Sequence, residues 1–453
     1  MKHFQTSTSL SGVAAHEGVR LAIEYVPLGE LKTPERQVRN HTQRQLKALA
    51  RSLKDFGAII PIVISADGTI VVGVAVVAAA RRNNMAELPA VRITHLDDHQ
   101  LRLFRIAHTK LTDGGSWNMD AVRLEFAEIS VERPQLELGS SGFCIAERDI
   151  IFGNHRVAEM ADLDDQPEEV SGAPVSRVGD GWICGRHIVF CGDATDPAVI
   201  EKAVMGQRIR TVASDPPYNV EIGGNVSGLG KNKHQEFAMA SGEMSRQEFV
   251  ILLARALGAA QPHLEDGALL YLFMDWRHLV ELSEAAEARD LKQLNLLVWA
   301  KTNAAMGSLY RSAHEMIGVF KHGEAAHINN VELGRHGRNR TNVIHMPGVN
   351  SFGKGRNKAL ETHPTVKPVG LLADLLLDSS GPGDRVLDPF GGSGTTLIAA
   401  EKTDRIASLV ELEPKFVDAT IRRFEALTGE TVSHAETGLS FANMAELRQQ
   451  EAR

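Results

Sequence analysis

The segment ASDPPYNV (residues 213–220) carries the side chains best suited to chemistry in this chain of 453 residues. It places Asp215, two prolines and Tyr218, one of only four tyrosines, directly after a short apolar run. A carboxylate can accept a hydrogen from an amine, and consecutive prolines fix the direction of the carbonyl between them. A tyrosine ring offers a flat face for stacking. Alone, such a segment is more often a turn that ends a strand, so its meaning depends on the rest of the sequence.

A second segment, DPFGGSGTT (residues 388–396), joins a strand-like run to a helix-like run through three glycines. Small residues let the backbone approach a ligand closely, and the first turn of a helix offers unpaired amides and a positive dipole end. The lysine of a triphosphate-binding loop is absent, because Thr395 and Thr396 follow the glycines. Glu411 ends the next strand about 20 residues later, a spacing that suits the two hydroxyls of a ribose. The glycine-rich segment and Glu411 together predict a ribose-bearing cofactor.

Apolar runs alternate with helix-like stretches from residue 182 onward, which is typical of a mainly parallel, doubly wound α/β sheet. The strand before Glu411 should neighbour the strand before the glycines, and the strands that end at Asp193 and Asp215 should complete the same sheet. Parallel strands have their carboxyl ends at one edge, where such sheets bind ligands. We therefore expect Asp193, Asp215, Asp388 and Glu411 along one edge.

Composition shifts divide the whole chain into segments. They are a flexible N-terminus (1–20), a compact α+β domain (21–120), a helical extension (121–160), a linker rich in acidic residues, Pro, Gly and Ser (161–181), the α/β domain (182–430) with an irregular insertion at about 321–361, and a C-terminal tail (431–453).

Bulk composition is typical of a globular protein, and the polar residues 1–18, which lack the apolar stretch of a secretory signal, predict a cytoplasmic location. Hydrophobic residues make up 43% of the chain and charged residues 23%, with a net charge of −8, and no apolar run is long enough to span a membrane. Overall acidity leaves room for a local basic surface. The three cysteines lack the spacing of zinc ligands or of a disulfide framework, so we expect buried thiols and no metal site.

Taken in order, these motifs resemble those of β-class DNA amino-methyltransferases. DPFGGSGTT is similar to their S-adenosylmethionine motif, ASDPPYNV to their catalytic motif, and HPTVKP (residues 363–368) to the segment before the cofactor strand. The resemblance extends over roughly residues 179–429 and has the catalytic motif first, a circularly permuted order. It implies a Rossmann-like doubly wound methyltransferase sheet with S-adenosylmethionine as cofactor.

The resemblance also implies roles for single residues. Asp388, Phe390, Gly391 and Gly394 would line the methionine part of the cofactor, and Glu411 would hold its ribose. The further cofactor residues implied are Asp193 at the adenine amine, Gly392, Ser393, Thr395 and Thr396 in the loop, and Thr365, Lys367 and Pro368 beside the cofactor.

In the catalytic motif, Asp215 and the Pro216 carbonyl would accept the hydrogens of an exocyclic base amine, while Pro217 stiffens the turn and Tyr218 stacks on a base turned out of the duplex. Aspartate at the first position, in place of serine, indicates site-specific methylation of adenine N6, the activity of restriction-modification methylases. Two alternatives stay open. One is a cytosine-N4 DNA methyltransferase, and the other is a non-catalytic DNA-binding protein with a decayed methyltransferase fold.

A basic stretch predicts where DNA is bound. Between residues 301 and 361, nine Lys or Arg stand against four Asp or Glu. The residues we expect on phosphates and base edges are Lys301, Arg335, Arg338, Arg340, Asn342, Lys354 and Arg356. The glycine-rich residues 219–235 would form a loop that closes over the base. Trp299, next to Lys301 in VWAK, either approaches the base or belongs to the core. Double-stranded DNA is the expected partner, a homodimer stays open, and no membrane partner is expected.

Residues 21–120 resemble the ParB-like nuclease or partition domain, on the segments LARSLKDFGAIIPIVIS and GTIVVGVAVVAAARRNNM. Where that family carries a charged phosphate-binding turn, this chain keeps Gly73 but has Val74, Ala75 and Val76. We therefore expect a DNA-binding or assembly accessory without nucleotide or nuclease chemistry.

Overall fold

The computed structural model describes residues 21–133, 136–152, 173–220, 242–301, 310–331, 340–346 and 367–451. The chain divides into two compact units, residues 1–144 (unit 1) and 145–453 (unit 2). Across these described ranges, no helix combines the length and the apolar character needed to cross a membrane. The predicted flexible N-terminus (1–20) and most of the predicted linker (161–172) lie outside the described residues.

Unit 1 is the α+β unit that its sequence pattern predicts. Its described elements are β1 (Ile23–Pro27), α1 (Gln43–Phe56), β2 (Ile62–Ser65), β3 (Ile70–Val72), α2 (Val74–Arg82), β4 (Glu87–Ile93), α3 (Asp98–Thr112) and α4 (Met119–Glu132). The strands form a sheet in the order β1-β4-β2-β3, in which β2 and β4 run parallel. The buried residues Val26, Ile62, Ile64 and Leu88 pack in its core.

Gly73 has a steric reason to be glycine in unit 1. Its φ is +106°, and a Cβ at this position would lie 2.6 Å from the Ile62 side chain. Any other residue would be strained in this left-handed conformation and would also collide with the core. Packing alone therefore explains the glycine that precedes α2, with no need for a bound phosphate.

Unit 2 contains the predicted alternation of strands and helices. Its helices are α5 (Ile145–Phe152), α6 (Pro197–Val204), α7 (Arg246–Ala260), α8 (Leu279–Glu287), α9 (Val369–Ser379), α10 (Thr395–Lys402), α11 (Pro414–Thr428) and α12 (Phe441–Glu451). Its strands are β5 (Gly181–Cys184), β6 (His187–Cys191), β7 (Ile209–Ser214), β8 (Leu264–Met274), β9 (Lys292–Ala300), β10 (His314–Lys321), β11 (Val343–His345), β12 (Arg385–Asp388), β13 (Ile406–Glu411) and β14 (Ser433–His434).

The strands of unit 2 form one sheet in the order β11-β9-β10-β8-β7-β12-β13-β6-β5-β14. The five central strands, from β8 to β6, are parallel. The predicted mainly parallel sheet is thus correct at its centre, but antiparallel strands extend it on both sides: β10 runs against β8 and β9, and β5 runs against β6 and β14. A two-residue connection joins β5 to β6, and so short a connection allows only an antiparallel hairpin.

The C-terminal segment differs from the predicted tail. Residues 433–434 form β14 at the edge of the sheet, and the following helix α12 buries Phe441 and Met444. A two-residue strand is too short to show a periodic pattern, so no local signal marks it. The segment is an integral part of the core of unit 2.

The end of the predicted linker is also fixed to unit 2. The backbone amides of Val175 and Ser176 donate to the buried Asp418 carboxylate at 2.6 and 2.9 Å. Arg448 of α12 adds hydrogen bonds to the Val175 carbonyl and to Asp180. The segment 173–180 is therefore ordered before β5 begins.

The predicted helical extension is divided between the two units. Its first helix, α4, belongs to unit 1, whereas α5 belongs to unit 2. Within unit 2, the fully buried guanidinium of Arg405 donates to both oxygens of Asp149 on α5, at 2.8 and 3.0 Å. Such a bidentate pair satisfies two charges that could not be buried alone. This pair joins α5 to the residue that directly precedes β13.

Candidate active site at the carboxyl edge of the sheet

The sheet places the predicted carboxylates on one edge. β7, β12, β13 and β6 are neighbours and parallel, and they end next to Asp215, at Asp388, at Glu411 and before Asp193, respectively. Two further strands bring charged residues to the same edge: β10, which is antiparallel to β8, begins there with Glu315 as its second residue, and β9 ends there just before Lys301. The edge therefore holds more charged groups than the sequence pattern predicted.

Asp215 is the centre of a cluster of polar groups at the end of β7. The Tyr218 hydroxyl donates to its Oδ1 at 2.5 Å, and the Lys367 ammonium donates to its Oδ2 at 2.5 Å. Lys367 also lies 3.2 Å from Glu315 Oε2, and its Nζ is 5.4 Å from the centre of the Tyr218 ring. One ammonium therefore holds two carboxylates and packs against the aromatic ring.

Glu315 is the main residue of this cluster to which the sequence assigned no role. Its carboxylate receives the Lys301 ammonium at Oε1 and the Tyr218 hydroxyl at Oε2, the latter at 3.3 Å. The segment YRSAHE (residues 310–315), whose last two residues begin β10, carries no pattern of a site by itself. The antiparallel direction of β10 is what brings Glu315 to Asp215.

Lys367 contacts two carboxylates of the cluster. Its predicted place beside the cofactor stays a prediction, and the structure shows its buried ammonium on Asp215 and Glu315. It lies two residues before α9, a helix that is buried almost throughout. Pro368 follows as the N-cap residue of α9 and is itself buried.

Burial and charge set the protonation of this cluster. Burial opposes ionisation of Glu315, but Lys367 and Lys301 outweigh it and lower its pKa to about 2. Burial also acts against the charge of Lys367, yet the two carboxylates raise its pKa. The pKa of Asp215 is raised, because burial and the nearby Glu315 together exceed the effect of Lys367. Lys367 is thus the group that allows Asp215 to exist as a carboxylate.

The buried Asp388 carboxylate binds residues of both the glycine loop and the catalytic turn. The hydroxyls of Ser214 and Thr396 donate to its two oxygens, each at 2.6 Å, and the amide of Phe390 donates to Oδ1 at 3.1 Å. Burial raises the pKa of Asp388 to about 6, even though these three donors stabilise the carboxylate. Ser214 directly precedes Asp215, so the same carboxylate links the catalytic turn to the cofactor loop.

Packing restricts the size of the side chain at two positions of the loop. A Cβ on Gly391 would lie 3.1 Å from the Leu409 side chain, and a Cβ on Gly394, whose φ is +80°, would lie only 2.5 Å from Thr420. The loop is thereby pressed onto β13 and α11. Its far side is held by Arg423, a buried residue of α11 whose guanidinium donates to the Ser393 carbonyl and to Thr395 Oγ1, at 3.1 and 3.3 Å.

Glu411 closes the loop at its other end. Its two oxygens accept the amides of Gly392 and Glu413, each at 2.8 Å. Burial raises its pKa to about 7, against these two amides. Each oxygen keeps a second lone pair, which matches the paired hydroxyls of a ribose. On the next strand, Asp193 accepts the Thr195 amide at 2.8 Å at the same sheet edge.

Behind the catalytic turn lies an apolar cavity. Pro216 lines it together with Pro389, Phe390, Leu253 and Leu257. Pro216 is buried while Pro217 is half-buried, so the first proline anchors the turn in the core. This packing fixes the backbone that presents Asp215.

The predicted DNA-contacting residues are only partly described. Thr365 of the cofactor set and Arg335, Arg338, Lys354 and Arg356 lie outside the described residues, as does most of the predicted loop 219–235. Arg340 is described, and its guanidinium is bound to Asp374 and Asp378 of α9. Asn342 donates to the Leu296 carbonyl at 3.4 Å, and Lys301 pairs with Glu315. Arg340 and Lys301 are thus engaged in ion pairs within unit 2, where we had expected contacts with phosphates.

Trp299 belongs to the core. It is 1% exposed, and its indole nitrogen donates to the Met346 carbonyl at 2.9 Å. The Lys301 ammonium lies 4.5 Å from the centre of its ring. Trp299 was expected either to approach the base or to belong to the core, and the structure shows it in the core.

Comparisons with known proteins find similarity to DNA methyltransferases in unit 2. Residues 209–422 match the family described as DNA methylase. The Type II methyltransferase M2.MboI of Moraxella bovis is 29% identical over 179 residues, which cover 38% of this chain and 64% of the relative. M2.DpnII of Streptococcus pneumoniae is 26% identical over 224 residues, covering 48% and 82%. The structure of PvuII DNA methyltransferase (cytosine-N4-specific) gives a TM-score of 0.43 at 15% identity, over 62% of this chain and 96% of that one.

Proposed function

We propose that this chain, whose residues 209–422 match the DNA methylase family, transfers a methyl group from S-adenosylmethionine to the N6 amine of adenine at specific sites in double-stranded DNA. The observation that carries the proposal is the link through Ser214 and Asp388. It joins the Asp215 turn to the glycine loop on one sheet edge, so that an amine acceptor and a cofactor loop lie side by side.

The residues present fit the proposed cofactor. Glu411 offers a half-buried carboxylate with free lone pairs for the ribose hydroxyls, and the glycine loop leads into the N-terminus of α10. Asp388 holds the loop that would line the methionine part, and Asp193, which follows the neighbouring strand β6, would contact the adenine amine. When bound, the cofactor supplies a methyl group on a positively charged sulfur, which is the electrophile of the reaction.

The role of Asp215 follows from the chemistry of a base amine. The lone pair of such an amine is delocalised into the ring, and it becomes nucleophilic only when its hydrogens are drawn towards acceptors. Asp215 has one oxygen on Tyr218 and one on Lys367, and each oxygen keeps a lone pair for an amine hydrogen. When the amine nitrogen takes the methyl group, the carbon–sulfur bond of the sulfonium would break and the neutral thioether would leave. The fixed Asp215 carboxylate would stabilise the positive charge on the amine and accept the proton that the amine then loses.

Lys367 and Glu315 act on Asp215 without touching the base. Lys367 keeps Asp215 ionised and fixes its rotamer, and Glu315 holds Lys367 and the Tyr218 hydroxyl in place. Tyr218 is thereby oriented with its ring available for stacking on a base that has been turned out of the duplex. Positioning of this kind accounts for a large share of enzymatic rate acceleration.

Adenine is the base we propose, because the first residue of the catalytic motif is an aspartate. Unit 1 is proposed as an accessory that contacts DNA or assists assembly, in keeping with its ParB-like sequence. Its turn at Gly73 to Val76 carries no charged side chain that could bind phosphate or hydrolyse it.

The test uses the full chain, labelled S-adenosylmethionine and unmethylated double-stranded DNA, with mass spectrometry of the nucleosides after digestion. We expect N6-methyladenine, and N4-methylcytosine in its place would show the other amine as substrate. Asp215→Ala should abolish transfer while cofactor binding is retained, and Glu287→Ala, an exposed carboxylate on α8, should transfer at the wild-type rate. Equal transfer by Asp215→Ala would remove the proposed role of the carboxylate. Sequencing of modified bases in expressing cells would then give the recognition site.

A further inference from the structure

The turn that follows β8 presents an exposed tryptophan next to the active site. Trp276 is 58% exposed, and Arg277 beside it has 47% of its side chain exposed. The guanidinium carbon of Arg277 lies 5.2 Å from the centre of the Trp276 ring. An aromatic ring and a cation are thus displayed together on one surface.

The sheet register places this turn at the mouth of the site. β8 is parallel to β7, with Leu272 opposite Ser214, so both strands end at the same edge. β10 pairs with β8 so that Met316 lies opposite Met274, and one step further Glu315 comes level with Asp275. With a rise of about 3.3 Å per residue, Trp276 therefore lies on the order of 10 Å from the catalytic cluster.

The turn is built rigidly around Asp275. One oxygen of this carboxylate accepts both the His278 amide at 3.1 Å and the His278 ring Nδ1 at 3.0 Å, and the other accepts Arg277 at 2.9 Å. His278 packs in turn edge-on against the buried Phe249. A residue that is merely tolerated on a surface needs no such support, whereas a binding platform gains affinity from it because little ordering remains to be done on binding.

We propose that Trp276 and Arg277 form a DNA-contacting rim, on which Trp276 stacks against a base beside the target nucleotide and Arg277 binds a phosphate of the same strand. The inference rests on the proposed function, because it takes DNA as the substrate. A strand whose base enters the Asp215 pocket must pass this edge of the sheet. An exposed aromatic face next to a guanidinium is the combination that recognises unstacked bases and their backbone. Acidic proteins or peptides would be drawn to Arg277 but would leave the tryptophan ring without a partner.

The test compares Trp276→Ala, Trp276→Phe and Arg277→Ala with the wild-type chain in methyl transfer to long unmethylated double-stranded DNA of mixed sequence. Stacking on one base is worth about 1–3 kcal/mol, so Trp276→Ala should raise the KM for DNA roughly 5- to 150-fold, and Trp276→Phe should recover most of the loss. Arg277→Ala should reduce the slope of log affinity against log salt by about 0.9, the value for one phosphate contact. Arg255→Ala, an exposed arginine on α7, is the matched control and should leave both quantities unchanged.

Binding of S-adenosylmethionine and the thermal unfolding temperature separate a DNA contact from a structural role, since a DNA contact moves neither. If Trp276→Ala leaves the KM for DNA unchanged in an active enzyme, or weakens cofactor binding equally, the rim does not exist. If the wild-type chain methylates no DNA, the proposed function fails, and the inference falls with it. Active wild-type enzyme with unaltered variants overturns the rim alone.

Discussion

Replacing Lys367 by methionine tests the electrostatic design of the active site. The ammonium is 2.5 Å from Asp215 and 3.2 Å from Glu315, and only 6% of the side chain is exposed. At an effective dielectric constant of about 20, an ion pair at about 4 Å contributes roughly 4 kcal/mol. Breaking one side of a buried pair costs about 3–5 kcal/mol, because a charge stays buried without its partner. Lys367→Met should therefore destabilise unit 2 by that amount and lower its unfolding temperature by roughly 10 °C.

The loss of stability caused by Lys367→Met should depend on pH. In the wild-type chain the pKa of Glu315 is lowered to about 2 from 4.5, so its contribution to stability is present above pH 4.5 and is lost as the pH falls through about 2. Without Lys367 two carboxylates face each other, and the pKa of Asp215, already raised by burial, should rise further. The difference in unfolding free energy between wild type and variant should thus be larger at pH 8 than at pH 5.

Urea unfolding at both pH values measures this difference, and methyl transfer at pH 7.5 measures its catalytic effect. A protonated Asp215 has lost an acceptor for the amine, so transfer should fall by at least about 100-fold, as when a positioned polar group is removed. Lys202→Met, an exposed lysine on α6, serves as control for the loss of a lysine. A stability difference that is the same at pH 5 and pH 8, or transfer within tenfold of wild type, would refute the assigned role of Lys367.

Two further predictions concern the cofactor loop. Asp388→Asn replaces a carboxylate that accepts the Ser214 and Thr396 hydroxyls by a neutral amide. Because a hydrogen bond to a charged group is worth about 1.5–3 kcal/mol, calorimetry should show roughly 10- to 100-fold weaker S-adenosylmethionine binding. Thr396→Val should cause a smaller loss. Burial raises the pKa of Glu411 to about 7, so its carboxylate protonates as the pH falls below 7, and cofactor affinity should decline there. Glu411→Gln should bind weakly at every pH from 6 to 8, and a wild-type affinity that is constant over this range would contradict the ribose assignment.

The prediction of family and fold from sequence is confirmed for unit 2. The match to the DNA methylase family over residues 209–422 supports the recognition based on three ordered motifs, and the α/β sheet has the predicted strands at its centre. Most helices and strands were predictable because the periodicity of apolar residues is a local signal. The ParB-like character of unit 1 stays a prediction.

Several contacts depended on residues far apart in the sequence. Lys367 and Asp215 are separated by 152 positions, and Arg340 meets Asp374 across 34. A lysine in a motif and an arginine in a basic stretch give no local sign of the carboxylates they will pair with. The sequence therefore suggested ligand contacts for Arg340 and Lys301, whereas the fold had already paired their charges.

The sequence by itself determined which strands carry carboxylates at their carboxyl ends. Because parallel strands have their carboxyl ends at one edge of the sheet, it also determined that these carboxylates lie along a common edge. What only the tertiary structure decided is the content of the catalytic cluster. β10 runs antiparallel to its neighbours, and so its first residues, with Glu315, lie at the edge where the parallel strands end. The direction of a strand is not written in its own residues, because it is set by the chain connections and the partners with which the strand pairs.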